Sequence, residues 1–160
     1  YLGEQELYSQ FHLDEAWNSE HNRALIRSMP PLYKPAGSLC EPGKTNYLGV
    51  SGEGALMVGP RDGDDGKSQP VGSRFQDVTD GTSNTLALVE VSDELAVIWT
   101  KPDDFEPDKE DPIQGLVGLR SRVFLGAMCD GSVRTISETV NKKTLKALFT
   151  RGGGEVVEDF

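Results

Sequence analysis

Two histidines, His12 and His21, are the residues best suited to acid–base chemistry in this chain of 160 residues. Carboxylates stand beside both of them, with Asp14 and Glu15 after His12 and Glu20 before His21. A histidine that acts as a general base also needs a positioned nucleophile, and the pattern around these residues offers none. We therefore expect packing or surface histidines and a protein that is not an enzyme, with a histidine-dependent hydrolase as the less favoured hypothesis.

The segment 49–54 comes close to two enzyme signatures and completes neither. A nucleophile elbow around Ser51 would need a glycine where Glu53 stands. A dinucleotide-binding fingerprint starting at Gly52 would need its final glycine where Met57 stands. The common hydrolase and nucleotide-binding signatures are thus excluded, and no organic cofactor is predicted.

Two acidic clusters could supply the several oxygen ligands that calcium requires on a bendable loop. The first is Asp62, Asp64 and Asp65, and the second is Asp103, Asp104, Glu106 and Asp108. The first begins like an EF-hand, but Lys67 stands where that loop needs its glycine. Calcium is therefore a possible ligand at either cluster, and a hydrophilic loop tip without metal is the alternative.

The charge balance restricts the classes of partner. The chain carries 26 acidic against 16 basic residues, a formal net charge of −10. Such a chain repels phosphate backbones, which argues against nucleic-acid binding. No run approaches the roughly 18 apolar residues of a membrane span. With 36% hydrophobic residues, we expect residues 1–160 to form a single globular domain.

The two cysteines, Cys40 and Cys129, lie far apart and outside any C-x-x-C pair. This spacing excludes a zinc ribbon and a thioredoxin-type redox motif. Two buried thiols and one disulfide both remain open, because only an oxidising compartment would permit the bridge.

Helical periodicity appears near both ends of the chain. Apolar residues at helical spacing predict a helix over 3–11 and a second over about 19–29, capped by Ser19 and ended by Pro30-Pro31. A third is predicted from Asn141, as its cap, to about Thr150, with Leu145, Leu148 and Phe149 facing inward.

Short apolar runs predict an antiparallel sheet between those helices. The segment 30–74 is loop-rich, with candidate strands at 47–50 and 55–58. The runs 86–91 and 95–100 are split by a short polar turn and are expected to pair with each other. The fold class predicted is α+β: an antiparallel β-sheet with flanking helices in a loop-rich globular head.

The strongest local signal is Asp130-Gly131, a pair that supplies the positive φ of a two-residue hairpin. It predicts a hairpin of 123–129 with 132–137, in which Cys129 faces Ser132 and Leu125 faces Ile136. Because 123–129 is apolar on both faces, we expect it inside the sheet with a helix covering one side.

Several short motifs occur in a specific order along the chain. They are residues 1–22, Met29-Pro30, Thr45-Asn46-Tyr47, Asp80 to Thr85, Glu90, Trp99 to Asp104 and Asp130 to Arg134. Together they resemble a large paralogous planctomycete family of unknown function whose members begin with a prepilin-type segment and end in an H-X9-DG box. Counting back from Asp130, Arg120 occupies the position of the box's histidine. An arginine there can donate hydrogen bonds to a carboxylate or carbonyl, which suits a structural latch.

The resemblance implies a pilin-like or pseudopilin-like globular head. It implies an apolar anchoring helix before Tyr1 in the intact protein and a location in the cell envelope or on its outer face. The membrane would be contacted only through that helix. The expected function is a noncatalytic envelope or surface protein, and the expected partners are other pilin-like subunits or copies of this chain.

Candidate ligand or interface residues are Trp17, Trp99, Asn84, Arg120 and Asp130. Tyr33 and the loop around Phe105 are further candidates for contact surface, since exposed aromatic residues often anchor interfaces. Core packing remains the alternative for both tryptophans. The alternative function is an extracytoplasmic small-solute or glycan-binding module, which a pocket lined by Trp99 and convergent polar groups would favour.

Overall fold

A computed structural model describes residues 2–57, 73–155, 157 and 160, and the backbone of strands at 61–62 and 68–69. The helices of these residues are α1 (Gln5–Tyr8), α2 (Glu20–Leu25) and α3 (Lys142–Phe149). The strands are β1 (Lys44–Thr45), β2 (Tyr47–Gly49), β3 (Arg61–Asp62), β4 (Ser68–Gln69), β5 (Leu86–Glu90), β6 (Val97–Ile98), β7 (Val123–Met128) and β8 (Val133–Ser137). Single 3₁₀ turns occur at Ile26–Ser28, Pro31–Tyr33, Phe75–Asp77 and Asp93–Leu95.

A four-stranded antiparallel sheet in the order β2-β5-β7-β8 forms the centre of the fold. Its inner face and α3 enclose the hydrophobic core, in which Phe124, Ile136, Leu145 and Leu148 are each at most 1% exposed. Burial of each such side chain contributes about 1.5–3 kcal/mol to folding. The prediction that β7 lies inside the sheet is confirmed. The prediction that the apolar side chains of α3 face inward is also confirmed.

The β7–β8 hairpin forms as predicted, but its register differs by one residue. Phe124 pairs with Ile136 and Leu125 with Thr135. The loop has three residues, because the Met128 amide donates to the Ser132 carbonyl at 2.8 Å and Gly131 follows in a positive-φ conformation. This register places the buried Phe124 beside the buried Ile136. The expected register would have moved one of them off the core face.

The predicted pairing of the runs 86–91 and 95–100 is wrong. Strand β5 has β2 on one side and β7 on the other, so it has no free edge. The 3₁₀ turn Asp93–Leu95 carries the chain out of the sheet, and β6 pairs instead with β1 in a separate two-stranded sheet. The local pattern identified β5 closely, but only Val97–Ile98 of the run 95–100 forms a strand, and the pattern could not identify the partners of either strand.

Both predicted cap residues are confirmed, and α3 has the predicted length, whereas the first two helices are shorter than expected. The Ser19 side chain accepts a hydrogen bond from the Asn22 amide, and Asn141 accepts one from the Lys143 amide. The first helix spans only Gln5–Tyr8, and the second gives way to a 3₁₀ turn after Leu25. The expected strand at 55–58 is reduced to an isolated bridge between Ser51 and Met57, and Val58 lies outside the described residues.

The fold class is α+β, with antiparallel sheets and a few helices, as predicted. Between the strands the described chain is rich in turns and irregular segments. None of the helices formed by the described residues has the length and apolar character needed to cross a lipid bilayer. The expectation of one domain over residues 1–160 stays a prediction.

Candidate functional site

A groove of about 310 Å³ brings Trp17 and Trp99 together on the N-terminal part of the fold. Other aromatic side chains in its lining are Tyr8, Phe11 and Tyr33. Trp99 follows directly after β6, and its backbone amide donates to the Gly43 carbonyl at 3.1 Å. The strand pair β1–β6 therefore fixes the position of the ring that is central to the groove.

The Trp99 ring is held in place from several directions. Its indole nitrogen donates to the Ile26 carbonyl at 2.9 Å, immediately after α2. Phe11 meets it edge-on at a centroid distance of 5.7 Å, and Tyr33 lies against it at 5.3 Å. Aromatic pairs at these separations add about 0.5–1.5 kcal/mol each to the energy of burial. The groove is thus a preformed arrangement of rings.

Asn22 organises the loop that carries His12 and Trp17. The residue is 2% exposed, and its side-chain oxygen accepts from the His12 amide at 3.0 Å. Its amide nitrogen donates to the carbonyls of His12 and Ala16 at 2.9 and 3.0 Å. Sequence reasoning did not identify this role, although Asn22 ends the first motif of the resemblance. An asparagine three residues after the predicted cap residue Ser19 was the available signal.

The two histidines stack on each other, with ring centroids 3.6 Å apart and planes 3° from parallel. The Nδ1 of His12 is 2.9 Å from the Glu15 carboxylate, and the Nε2 of His21 donates to the Gln10 carbonyl at 2.7 Å. Among the hydrogen bonds of the described residues, none joins either imidazole to a serine, threonine or cysteine nucleophile.

The groove is negatively charged. Glu4 and Glu15 lie in its lining, and the described lining residues include neither lysine nor arginine. Hydrogen bonds from Ser19 and His12 lower the pKa of the Glu15 carboxyl from its ordinary value. Glu15 is therefore ionised at neutral pH, and the site attracts positive charge.

Arg120 forms a two-pronged ion pair with Glu90 at the end of β5. Its Nε and Nη2 donate to the two carboxylate oxygens at 2.6 and 3.0 Å. Glu90 is 2% exposed, and its hydrogen bonds with Arg120 raise the pKa of the guanidinium. Tyr47 stands opposite Glu90 in the sheet, where burial and then the Glu90 charge raise the pKa of its phenol. Arg120 is thus the carboxylate-bonded latch expected from its residue type.

Asn84 and Asp130 occupy two turns that contact each other. The Asn84 side chain donates to the Asp80 carbonyl at 3.1 Å, and the Asp130 carboxylate accepts from the Ser132 amide at 2.8 Å. Contact with Ser132 lowers the pKa of Asp130 from its ordinary value. The turns join where the Asp130 amide donates to the Thr82 carbonyl at 3.0 Å. Neither residue lines the groove, and a ligand role for them stays a prediction.

The family model described as a protein of unknown function (DUF1559) matches residues 1–122. The chain belongs to the DUF1559 family. No curated protein and no solved structure matches it. The matched segment contains every lining residue of the groove and both members of the Glu90–Arg120 pair. It ends just before β7, so the hairpin and α3 follow it.

The acidic clusters of this DUF1559 chain are only partly described. Asp64 and Asp65 lie outside the described residues, and Asp62 is described as backbone only. Of the second cluster, Asp103 forms an ion pair with Lys101, and Asp108 accepts from the amides of Glu110 and Asp111 at 2.8 and 2.7 Å. Across the described residues, no three acidic, histidine or cysteine groups come together as a metal site. A calcium site stays a prediction without support from this arrangement.

Cys40 and Cys129 are free thiols in this DUF1559 fold. Cys40 is buried, and its sulfur takes part in hydrogen bonds with Ser38 and the Lys44 carbonyl. Burial and the neighbouring Asp130 raise the pKa of the Cys129 thiol, which disfavours the reactive thiolate. Phe105, a further surface candidate, is instead buried in the core. Of the aromatic candidates, Trp17, Tyr33 and Trp99 meet in the groove.

Proposed function

We propose that this chain is the noncatalytic head of a pilin-like or pseudopilin-like envelope or surface protein. An apolar helix before Tyr1 would anchor it to the membrane, and copies of the chain or related subunits would be its partners. The anchor and the location come from the resemblance of residues 1–22 and the later motifs. The net charge of −10 argues against a nucleic-acid partner.

The observation that carries the proposal is the exposed apolar surface of the N-terminal segment. Leu2 and Tyr8 are more than half exposed and Leu13 is 68% exposed. All four residues of α1 are described, and none of them is buried. Exposed apolar side chains that lie close together in the sequence are suited to contact with a neighbouring subunit.

The decisive experiment is mass spectrometry of the native protein's N-terminus, recovered separately from membrane, surface and soluble fractions of the source cells. A processed and N-methylated apolar residue on a membrane or surface species is the expected result. A soluble species with an ordinary secretory cleavage site would overturn the pilin-like assignment, because that assignment depends on the anchor.

Contact through the N-terminal segment is tested by Leu13→Ser in the native host. The substitution should reduce the amount of assembled or cross-linked protein, since it removes an exposed apolar side chain. Leu39→Ser is the matched control, because Leu39 is 90% exposed in another segment. Equal assembly of the two variants would contradict the proposed contact.

The groove favours a second candidate function, an extracytoplasmic solute-binding module. Its rings are held in place before any ligand arrives, and preformed aromatic clefts with few polar groups are typical of small-molecule sites. A fluorescence titration with a panel of small solutes and saccharides tests this function. Saturable binding to the 160-residue chain is the expected result, and no response to any compound would contradict it.

A further inference from the structure

Aromatic rings contribute much of the lining of the groove. Five aromatic side chains line it, and two of them are tryptophans. The ring of tryptophan gives the most favourable face for a cation, and each such contact contributes about 0.5–2 kcal/mol. Because Trp99 is fixed by Ile26, Phe11 and Tyr33, little ordering is required when a ligand binds.

The charge of the lining has the sign that a cation requires. Glu4 and Glu15 supply two carboxylates, the described lining holds neither lysine nor arginine, and its one histidine, His12, is bonded to Glu15. The whole chain adds a net charge of −10, which raises the local concentration of positive ligands. An anionic ligand would meet repulsion at this groove.

The polar groups of the groove are mostly engaged within the protein. Asn22 uses its oxygen and its nitrogen on the backbone of the 12–16 loop. The Trp99 indole nitrogen is bonded to Ile26, and the His12 Nδ1 to Glu15. A saccharide needs many donors and acceptors for its hydroxyl groups, whereas an alkylated cation needs only π faces and negative charge. The groove therefore matches the cation better.

One polar atom remains available. The Thr100 hydroxyl oxygen is buried in the lining and has no hydrogen-bond partner among the described residues. A buried polar atom of this kind is costly unless a ligand or water satisfies it.

We propose that the groove binds a small alkylated ammonium compound, with its charge against the Trp17 and Trp99 rings and the carboxylates of Glu4 and Glu15. The volume of about 310 Å³ suits a small solute. This assignment rests on the solute-binding function above and names the chemical class of its ligand.

The chain is well suited to a direct test. Its two tryptophans are the only ones in the sequence, and both line the groove. Intrinsic tryptophan fluorescence therefore reports on this site alone. The probes are choline and tetramethylammonium, compared with 3,3-dimethylbutan-1-ol, the uncharged isostere of choline, at constant ionic strength. We expect saturable changes with the two cations and binding at least about tenfold weaker for the isostere, a difference of about 1.4 kcal/mol.

Two variants separate charge from shape. Glu15→Gln should weaken choline binding by about three- to tenfold, since it removes one of two lining carboxylates and keeps the side-chain size. Glu94→Gln is the matched control, because Glu94 is exposed outside the lining and its loss should leave binding unchanged. Thermal unfolding of both variants establishes that they are folded.

Each alternative result overturns the proposal in a different way. Equal binding of choline and its isostere would show an apolar site that does not recognise charge. Binding of a saccharide from the panel of the solute-binding titration, without binding of either cation, would remove the cation assignment and leave the solute-binding function in place. No binding of any compound in the panel would remove both.

Discussion

The guanidinium of Arg120 donates two hydrogen bonds to the buried carboxylate of Glu90 and so ties the loop before β7 to the end of β5. The side chain of Arg120 is 34% exposed, whereas that of Glu90 is 1% exposed. The pair is therefore asymmetric. Loss of the arginine would leave a carboxylate inside the protein without its counter-charge.

Arg120→Ala should destabilise the fold by about 2–4 kcal/mol, because breaking a buried pair leaves an uncompensated charge. Water that enters the space left by the arginine side chain solvates the Glu90 carboxylate and so limits the loss of stability. Denaturant unfolding measures the change. Arg122→Ala is the control, since the Arg122–Glu138 pair is exposed and should contribute at most about 1 kcal/mol. Equal losses in the two variants would contradict a special role for Arg120.

Gly131→Ala tests the three-residue hairpin loop. Gly131 has φ of 85°, and no atom lies within 4 Å of a Cβ added there, so the substitution acts through backbone strain alone. We expect a loss of about 1–2 kcal/mol in the free energy of unfolding. Gly131→Asn should lose less, because asparagine tolerates the left-handed region better. If both variants matched the parent protein, the loop would not have this conformation.

Asp93→Asn tests the acid sensitivity of the fold. The Asp93 carboxylate accepts from Ser38, the Leu39 amide and Asn46 at 2.8, 2.8 and 2.9 Å. Hydrogen bonds from Asn46, Leu39 and Ser38 lower its pKa, so Asp93 contributes stability above its unfolded-state pKa of about 3.8. This contribution is lost as the pH falls through the lower folded-state value.

Stability measured from pH 6 down to about pH 2 should therefore fall less steeply in Asp93→Asn than in the parent protein, because the variant lacks the titrating group. Asp14→Asn is the control at an exposed position. Parallel curves for the parent and Asp93→Asn would show that Asp93 does not couple folding to protonation.

Asn22→Ala should open the groove. The substitution leaves the amide and carbonyl of His12 and the carbonyl of Ala16 without their side-chain partner. Buried groups left unpaired cost about 1–3 kcal/mol. A red shift in tryptophan emission, from Trp17 in the released loop, should accompany the loss of stability. Asn18→Ala is the exposed control, and an unchanged spectrum in Asn22→Ala would contradict the role given to Asn22.

Local features were predictable because the responsible residues are neighbours in the sequence. Ser19 and Asn141 cap helices through groups two or three residues away. Gly131 and the apolar stripe of α3 act over similarly short distances. Backbone geometry and periodicity determine such features without reference to the rest of the fold.

Pairing between distant segments could not be predicted in the same way. β6 joins β1 because β5 is already flanked by β2 and β7, which only the whole sheet reveals. The hairpin register depends on which residue of β7 shares a face with Ile136. The groove was equally hidden, because Trp17 and Trp99 become neighbours only through tertiary packing. Residue type identified each tryptophan as a candidate ligand or interface residue, but the sequence did not show that the two side chains meet.

The N-terminal segment is attached to the rest of the fold by individual hydrogen bonds, among them Trp99 to Ile26, Thr45 to the Tyr33 carbonyl and the Trp99 amide to the Gly43 carbonyl. Within residues 2–43, the described chain contributes no strand to a sheet. Its amide protons should consequently exchange with solvent through a separate local opening. The free energy of that opening should be lower than the free energy needed to expose the amides of β5 and β7. A ligand in the groove would contact both the N-terminal segment and the more stable part of the fold. It would therefore slow amide exchange throughout the first thirty residues.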